Sequence, residues 1–137
     1  VNMPSIRLWM ENNPLAARSL MYKNRSYIFF RVLENAGPVG SSGVVLTPGR
    51  SMAIDPRYTP YGTPIWLSTD FPGSKPGTRL RRLFIAQDTG SAIKGVVRGD
   101  VFWGSGHEAE RRAGLMKSKG SYFVLLPKSA ALEKSEN

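Results

Sequence analysis

Three aspartates in this chain stand where turn residues meet apolar runs: Asp55 in Ala53-Ile54-Asp55-Pro56, Asp88 in Ala86-Gln87-Asp88-Thr89-Gly90, and Asp100 in Arg98-Gly99-Asp100-Val101-Phe102-Trp103-Gly104. A carboxyl at such a junction meets a ligand from one side and the low dielectric of the core from the other, which can raise its pKa toward the range of a general acid. Each also has a plain structural reading. Asp55-Pro56 is a common turn start, and Asp88-Thr89-Gly90 fits an Asx-turn. Asp100 differs because Val101, Phe102 and Trp103 follow it directly, a setting that disfavours the charged form if the carboxyl points toward them. Arg98 and Lys94 pull the other way, so the sign of any shift stays open.

The neighbours of these carboxylates carry their own candidates. Lys94 could hold Asp100 or Asp88 by a hydrogen bond, or bind a carboxylate on a substrate. Thr89, Gly90 and Gly99 are positions where backbone could approach a ligand closely, as is Gly95, although tight turns ask for glycine without any ligand. Trp103, Trp66 and Tyr61 could stack on a ligand or serve as core, with Trp103 the first choice for a groove position. His107, the only histidine, falls at a helix start. One histidine, no cysteine and scattered carboxylates give no credible ligand set, so neither a metal nor another cofactor is expected.

The elements that must position these residues are mostly short strands. Aromatic and β-branched residues from Ser26 to Val32 predict a buried strand, and further strands are expected at Val44 to Leu46, Ser51 to Ile54, Pro64 to Leu67, Leu80 to Ala86, Val101 to Trp103 and Ser121 to Leu126. The 14 glycines and 10 prolines sit mainly between these runs, which favours tight corners and a small closed or nearly closed β-structure over a βαβ sheet. Helices are expected at Ser5 to Glu11 and, with Asn13 as N-cap and Pro14 at its first position, at Pro14 to Tyr22. A third is expected after Ser105, where Ser105-Gly106-His107-Glu108 has the spacing of a capping box and Ala109, Ala113 and Met116 share a face. Three segments result: short helices over 1–24, a β domain over 25–127, and a polar tail over 128–137 expected to be frayed.

With 137 residues and 41% hydrophobic content the chain has enough apolar material for one modest core. Nineteen Lys and Arg against ten Asp and Glu give a formal charge of +9, which favours polyanionic partners: nucleic acid, anionic lipid, or a polymer bearing carboxylates. The positive charges are dispersed, with only Arg79, Arg81 and Arg82 close together. The absence of cysteine excludes disulfides, a thiolate nucleophile or metal ligand, and a lipid thioether or palmitoyl group on these residues. No stretch approaches the length of a membrane span, and Val1 to Met10 lack the pattern of a signal peptide.

Taken together, Asn24-Arg25-Ser26-Tyr27-Ile28-Phe29-Phe30-Arg31, Leu46-Thr47-Pro48-Gly49-Arg50-Ser51, Gly62-Thr63-Pro64 and Asp88-Thr89-Gly90-Ser91-Ala92-Ile93-Lys94-Gly95, followed by Gly99-Asp100, form an ordered set. From about Ser5 to Pro127 the chain resembles the C-terminal three-aspartate (3D) domain of the membrane-bound lytic murein transglycosylase A family. The resemblance implies a mainly β fold, a six-stranded double-psi β-barrel or most of one, with a few short helices. It maps the single catalytic residue of the family onto Asp100 and the other two aspartates onto Asp88 and Asp55.

The implied reaction cuts the β-1,4 bond between N-acetylmuramic acid and N-acetylglucosamine in peptidoglycan without adding water. Asp100 would protonate the leaving oxygen, then take the proton of the C6 hydroxyl as that oxygen closes on C1, leaving a 1,6-anhydro end. Asp88 would orient the site or stabilise charge at C1. The implied partners are glycan strands, and the implied setting is the periplasm, at the outer membrane through a lipid anchor of the parent protein. Family members are much longer. An N-terminal part and an inserted domain that forms the opposite groove wall are both expected to be missing here, so the isolated chain is expected to bind murein weakly and cleave it poorly. Two alternatives stay open: a two-carboxylate glycoside hydrolase using Asp88 and Asp100, and a non-catalytic glycan-binding barrel. Nucleic-acid binding is not expected, because the aromatic and basic platform for single strands is lacking.

Overall fold

The structure, a computed structural model, describes residues 3–26, 29, 32 and 37–128. It divides into two compact units, Val1–Asn35 and Ala36–Asn137.

The first unit holds two helices, α1 (Met3–Asn12) and α2 (Pro14–Met21). Both expected helices are present, α1 beginning two residues earlier than read from the sequence. Pro14 opens α2 because its missing N–H would have no intrahelical partner there and its fixed φ suits the first turn. Asn13 takes the N-cap position but not the expected capping bond. Its side-chain amide donates instead to the Trp9 carbonyl at 2.9 Å and so closes the end of α1. Ala17 is the buried residue of α2. Residues 27, 28, 30 and 31 of the strand expected over Ser26 to Val32, and the tail beyond Lys128, lie outside the described residues. No described helix is long and apolar enough to cross a membrane.

The second unit is mainly β. Its strands β1 (Ser51–Ile54), β2 (Pro64–Asp70), β3 (Arg79–Asp88), β4 (Gly99–Val101) and β5 (Gly120–Val124) form one sheet in the order β4-β1-β3-β2-β5, and a helix, α3 (His107–Leu115), precedes β5. β1 and β3 run parallel and the other pairs antiparallel. The ten-residue β3 is central because Leu80, Phe84 and Ala86 recur at even spacing and are all buried, presenting one apolar face to the neighbouring strands. With Met52, Ile54, Ile65 and Val101 they form the core. Full burial of Phe84, Met52, Ile54 and Ile65 contributes roughly 1.5–3 kcal/mol each.

Of the six strands that a complete barrel would have, five are seen among the described residues, in one sheet with β4 and β5 as its edges. The strand expected at Val44 to Leu46 is reduced to a single antiparallel bridge between Val39 and Val45. The one expected at Val101 to Trp103 lies two residues earlier, because Gly99, Asp100 and Val101 are the residues in register with Ile54, Ala53 and Met52. The capping box before α3 does not form. Gly106 takes the N-cap with φ 87° and no side chain caps the helix, while Glu108 pairs forward with Arg111 and Arg112.

One irregularity bears directly on the aspartates. Ser51 and Met52 pair with Ile85 and Ala86, but Ala53 pairs with Asp88, so Gln87 is an extra residue in β3. A bulge of this kind inverts the side-chain alternation beyond it. Without it, Ala53 would oppose Gln87, and Asp88 would fall on the other face of the sheet.

Candidate active site

Asp88 ends β3, Asp100 is the middle residue of β4, and β1 runs between them. Ala53 is in register with both. Directly opposed residues point to the same face of a sheet, so the two carboxylates share the face of Ala53, away from Met52 and Ile54. Their Cα atoms are separated by two strand spacings, roughly 10 Å. Only the small methyl of Ala53 stands between them. Both aspartates line a cavity of about 150 Å³ bounded also by Leu46, Ser51, Ala53 and Phe102. A larger open cleft of about 730 Å³ adjoins Asp100 on its other side, past Arg98, Met116, Lys119 and Tyr122. Asp100 is exposed and Asp88 half-buried.

Asp88 is held in place. Its Oδ1 accepts two hydrogen bonds from one residue, the Ser41 backbone N–H at 3.0 Å and the Ser41 hydroxyl at 2.9 Å. Ser42 secures the neighbouring backbone, its N–H and hydroxyl donating to the Gln87 carbonyl at 3.2 and 2.7 Å. Gln87 is pinned in turn, its Oε1 accepting the Ser51 hydroxyl at 2.5 Å. The tip of the hairpin around Val39 and Val45 therefore rests on the bulge that aims Asp88. A Cβ on Gly40 would come 2.3 Å from the Gln87 carbonyl oxygen and 2.6 Å from Leu46, so only glycine permits this approach.

Asp55, the third aspartate, has a different setting. It is 2% exposed, and Arg57 faces it with Nε 3.0 Å from Oδ1 and Nη2 2.7 Å from Oδ2. The Gly95 N–H donates to Oδ2 at 2.9 Å. The Arg57 guanidinium, helped by this N–H and opposed by burial, holds the Asp55 carboxyl well below the usual carboxylate range. Asp55 thus staples the loop before β4 to the end of β1, and its carboxylate is committed to those donors.

The other sequence candidates divide between scaffold and surface. The Thr89 hydroxyl donates to the Ile54 carbonyl at 2.9 Å, tying the end of β3 to β1. Gly90 accepts the turn bond from the Ile93 N–H at 3.0 Å. Gly99 packs closely on the core: a Cβ there would meet the Met52 sulfur at 2.6 Å. Lys94 is exposed, and no hydrogen bond or ion pair joins it to Asp88 or Asp100 among the described residues. Trp103 lies against the core and not in a groove on the aspartate face, its ring 5.7 Å from that of Phe71 and 5.8 Å from the Arg112 guanidinium. Trp66 and Tyr61 remain exposed, Trp66 in register with Leu83 and Phe123 on the outer face of the sheet. His107 begins α3.

Sequence reasoning missed Ser41 and Gln87. Ser41 lies 47 positions from Asp88, and the only local signal was the Gly40-Ser41-Ser42-Gly43 composition of a tight turn. Chemically, one exposed carboxyl and one oriented carboxylate on a common face suit acid/base work at a bond lying across Ala53.

Comparison with known proteins bears on this site. Residues 50–126 match the family model described as the 3D domain, and residues 1–31 match that of the MltA specific insert domain. The chain is 36% identical over 129 residues to membrane-bound lytic murein transglycosylase A of Escherichia coli (strain K12), an alignment that covers 91% of this chain and 35% of that protein. Among solved structures, the membrane-bound lytic murein transglycosylase from Agrobacterium tumefaciens superposes with a TM-score of 0.84 at 38% identity, covering 97% of this chain and 37% of that one. E. coli MltA with bound chitohexaose gives 0.79 at 34% identity, covering 91% and 39%. The chain spans about a third of the length of the curated relatives it matches. The expectation that nothing of the inserted domain is present is corrected for residues 1–31, which carry that match.

Proposed function

Because the chain belongs to the 3D domain family and is homologous to membrane-bound lytic murein transglycosylase A over 91% of its length, we propose that it supplies the catalytic carboxyl of a peptidoglycan lytic transglycosylase. The observation that carries this reading is the position of Asp100, exposed at the sheet's edge and sharing a face and a cavity with the oriented carboxylate of Asp88.

In the proposed reaction Asp100 gives its proton to the glycosidic oxygen between N-acetylmuramic acid and N-acetylglucosamine, and the bond from that oxygen to C1 breaks. Positive charge develops at C1 and the ring oxygen. Asp88 stabilises that charge through space, from a fixed position that costs no reorganisation during the reaction. Asp100, now a carboxylate, takes the proton of the C6 hydroxyl as O6 bonds to C1. The products are a new N-acetylglucosamine end and a 1,6-anhydromuramoyl end. No water is consumed, and Asp100 returns to its acid form.

The substrate is accordingly the glycan strand of peptidoglycan, and the setting is the periplasm at the outer membrane, reached through the remainder of the parent protein. The names of the curated relatives support the membrane association, and the chitohexaose held by E. coli MltA supports a glycan ligand. The double-psi barrel of six strands belongs to the same proposal, with a further strand placed beside an open sheet edge.

A second reading follows from the shared face itself. Two carboxyls aimed at one bond could act as acid and base on water, as in a glycoside hydrolase. Digestion of purified peptidoglycan in oxygen-18-labelled water separates the two: a transglycosylase leaves its new muramoyl ends unlabelled, whereas a hydrolase incorporates one labelled oxygen per cleavage. Label at every new end would replace the first reading with the second.

A further inference from the structure

We infer that Ser41 is a positioning residue for the reaction, acting through Asp88 by fixing which carboxylate oxygen faces the substrate. The inference rests on the reading of Asp88 and Asp100 given above and adds a residue to it.

The geometry is specific. Both donors of Ser41 converge on the same oxygen, Oδ1, at 3.0 and 2.9 Å. Oδ2 receives no hydrogen bond among the described residues. A carboxylate with one oxygen doubly bonded to a rigid turn cannot rotate without losing two charge-assisted bonds, each stronger than a bond between neutral groups. Its other oxygen is therefore held in a fixed direction, on a residue that lines the cavity shared with Asp100.

The donor side is equally constrained. The turn that carries Ser41 is closed by the Gly40 N–H to the Val44 carbonyl and the Gly43 N–H to the Gly40 carbonyl, each at 2.9 Å. It is anchored on the bulge of β3 through Ser42, and Gly40 leaves no room for it to move closer. Ser41 is exposed and no part of the core depends on it. The arrangement makes sense as alignment of the carboxylate against charge that appears only during bond cleavage.

The test uses the 137-residue chain in excess over purified glycan strands, so that single turnovers are counted as anhydromuramoyl ends. Ser41→Ala should lower the rate of bond cleavage on the order of ten- to a hundredfold, the scale of a small misplacement of a catalytic group, with little change in the concentration giving half-maximal rate. Ser41→Thr, which keeps the hydroxyl, should restore most of the rate. In the Asp88→Asn background Ser41→Ala should cause no further loss, because its effect passes through that carboxylate. A wild-type rate for Ser41→Ala, or a loss that multiplies fully with that of Asp88→Asn, overturns the role of Ser41 while leaving the transglycosylase reading intact. Absence of anhydro ends from the wild-type chain even when the remainder of the parent protein is added back overturns both.

Discussion

Asp88 and Asp100 are each opposed to Ala53, one from the parallel neighbour of β1 and one from the antiparallel neighbour. The single methyl of Ala53, on the strand between them, is thus the floor between two carboxyls. In the proposed reaction the scissile bond lies over that floor, between the two groups.

Ala53→Leu should obstruct that floor. The added carbons would rise between the carboxyls on a half-buried face, so the cleavage rate should drop at least tenfold, on the scale of losses from misplacing a bound substrate. The core lies on the other face, and stability should change by only about 0.5 kcal/mol. Product counts combined with urea denaturation check both statements. Unchanged cleavage would place the substrate elsewhere.

Asp55 predicts a pH dependence of stability. Its carboxyl titrates lower in the folded chain than in the unfolded one, where the ordinary value is about 3.9, so its contribution is complete above that value and is lost as pH falls through and below it. Asp55→Asn should therefore be less stable than the wild type at pH 7, with the gap narrowing as pH falls below about 4. Thermal midpoints of the two proteins measured across pH 2.5 to 7 decide the matter. A gap independent of pH would mean that the ion pair with Arg57 is not its source.

Gly99 predicts a steric coupling. A methyl group there meets the sulfur of the fully buried Met52 at 2.6 Å, and Gly99→Ala should cost about 1–3 kcal/mol through overpacking. In a Met52→Ala background the same change should cost only a few tenths of a kcal/mol, since the obstacle is gone. Equal costs in both backgrounds, read from chemical denaturation, would contradict this cause.

The parts visible in the sequence are those where chemistry and local pattern coincide. The runs Ser51 to Ile54, Pro64 to Leu67 and Leu80 to Ala86 are strands because their apolar residues need burial, and Asp100 stands out because glycine precedes it and three apolar residues follow. The pairing of β1 with β3 was not visible, because a parallel contact across some thirty residues leaves no local trace. Nor was the bulge at Gln87, which depends on Ser51 and Ser42 meeting it in space. Trp103 shows the limit most clearly. Beside Asp100 in sequence, it points to the opposite face of β4's extension, where Phe71 and Arg112 cover it, so adjacency along the chain misplaced it. Glu108 likewise had the spacing of a capping box, but Arg111 and Arg112 one turn on supplied stronger partners.

The central claim is that Asp100 alone carries the proton transfers and that no water enters. Mass spectrometry of muropeptides released from purified peptidoglycan by the wild-type chain and by Asp100→Asn addresses it directly. Muropeptides one water lighter than hydrolysis products, formed by the wild type and absent with Asp100→Asn, are the predicted result. Lighter products that persist in Asp100→Asn would contradict the assignment of Asp100, and products of full hydrolytic mass would contradict the reaction itself.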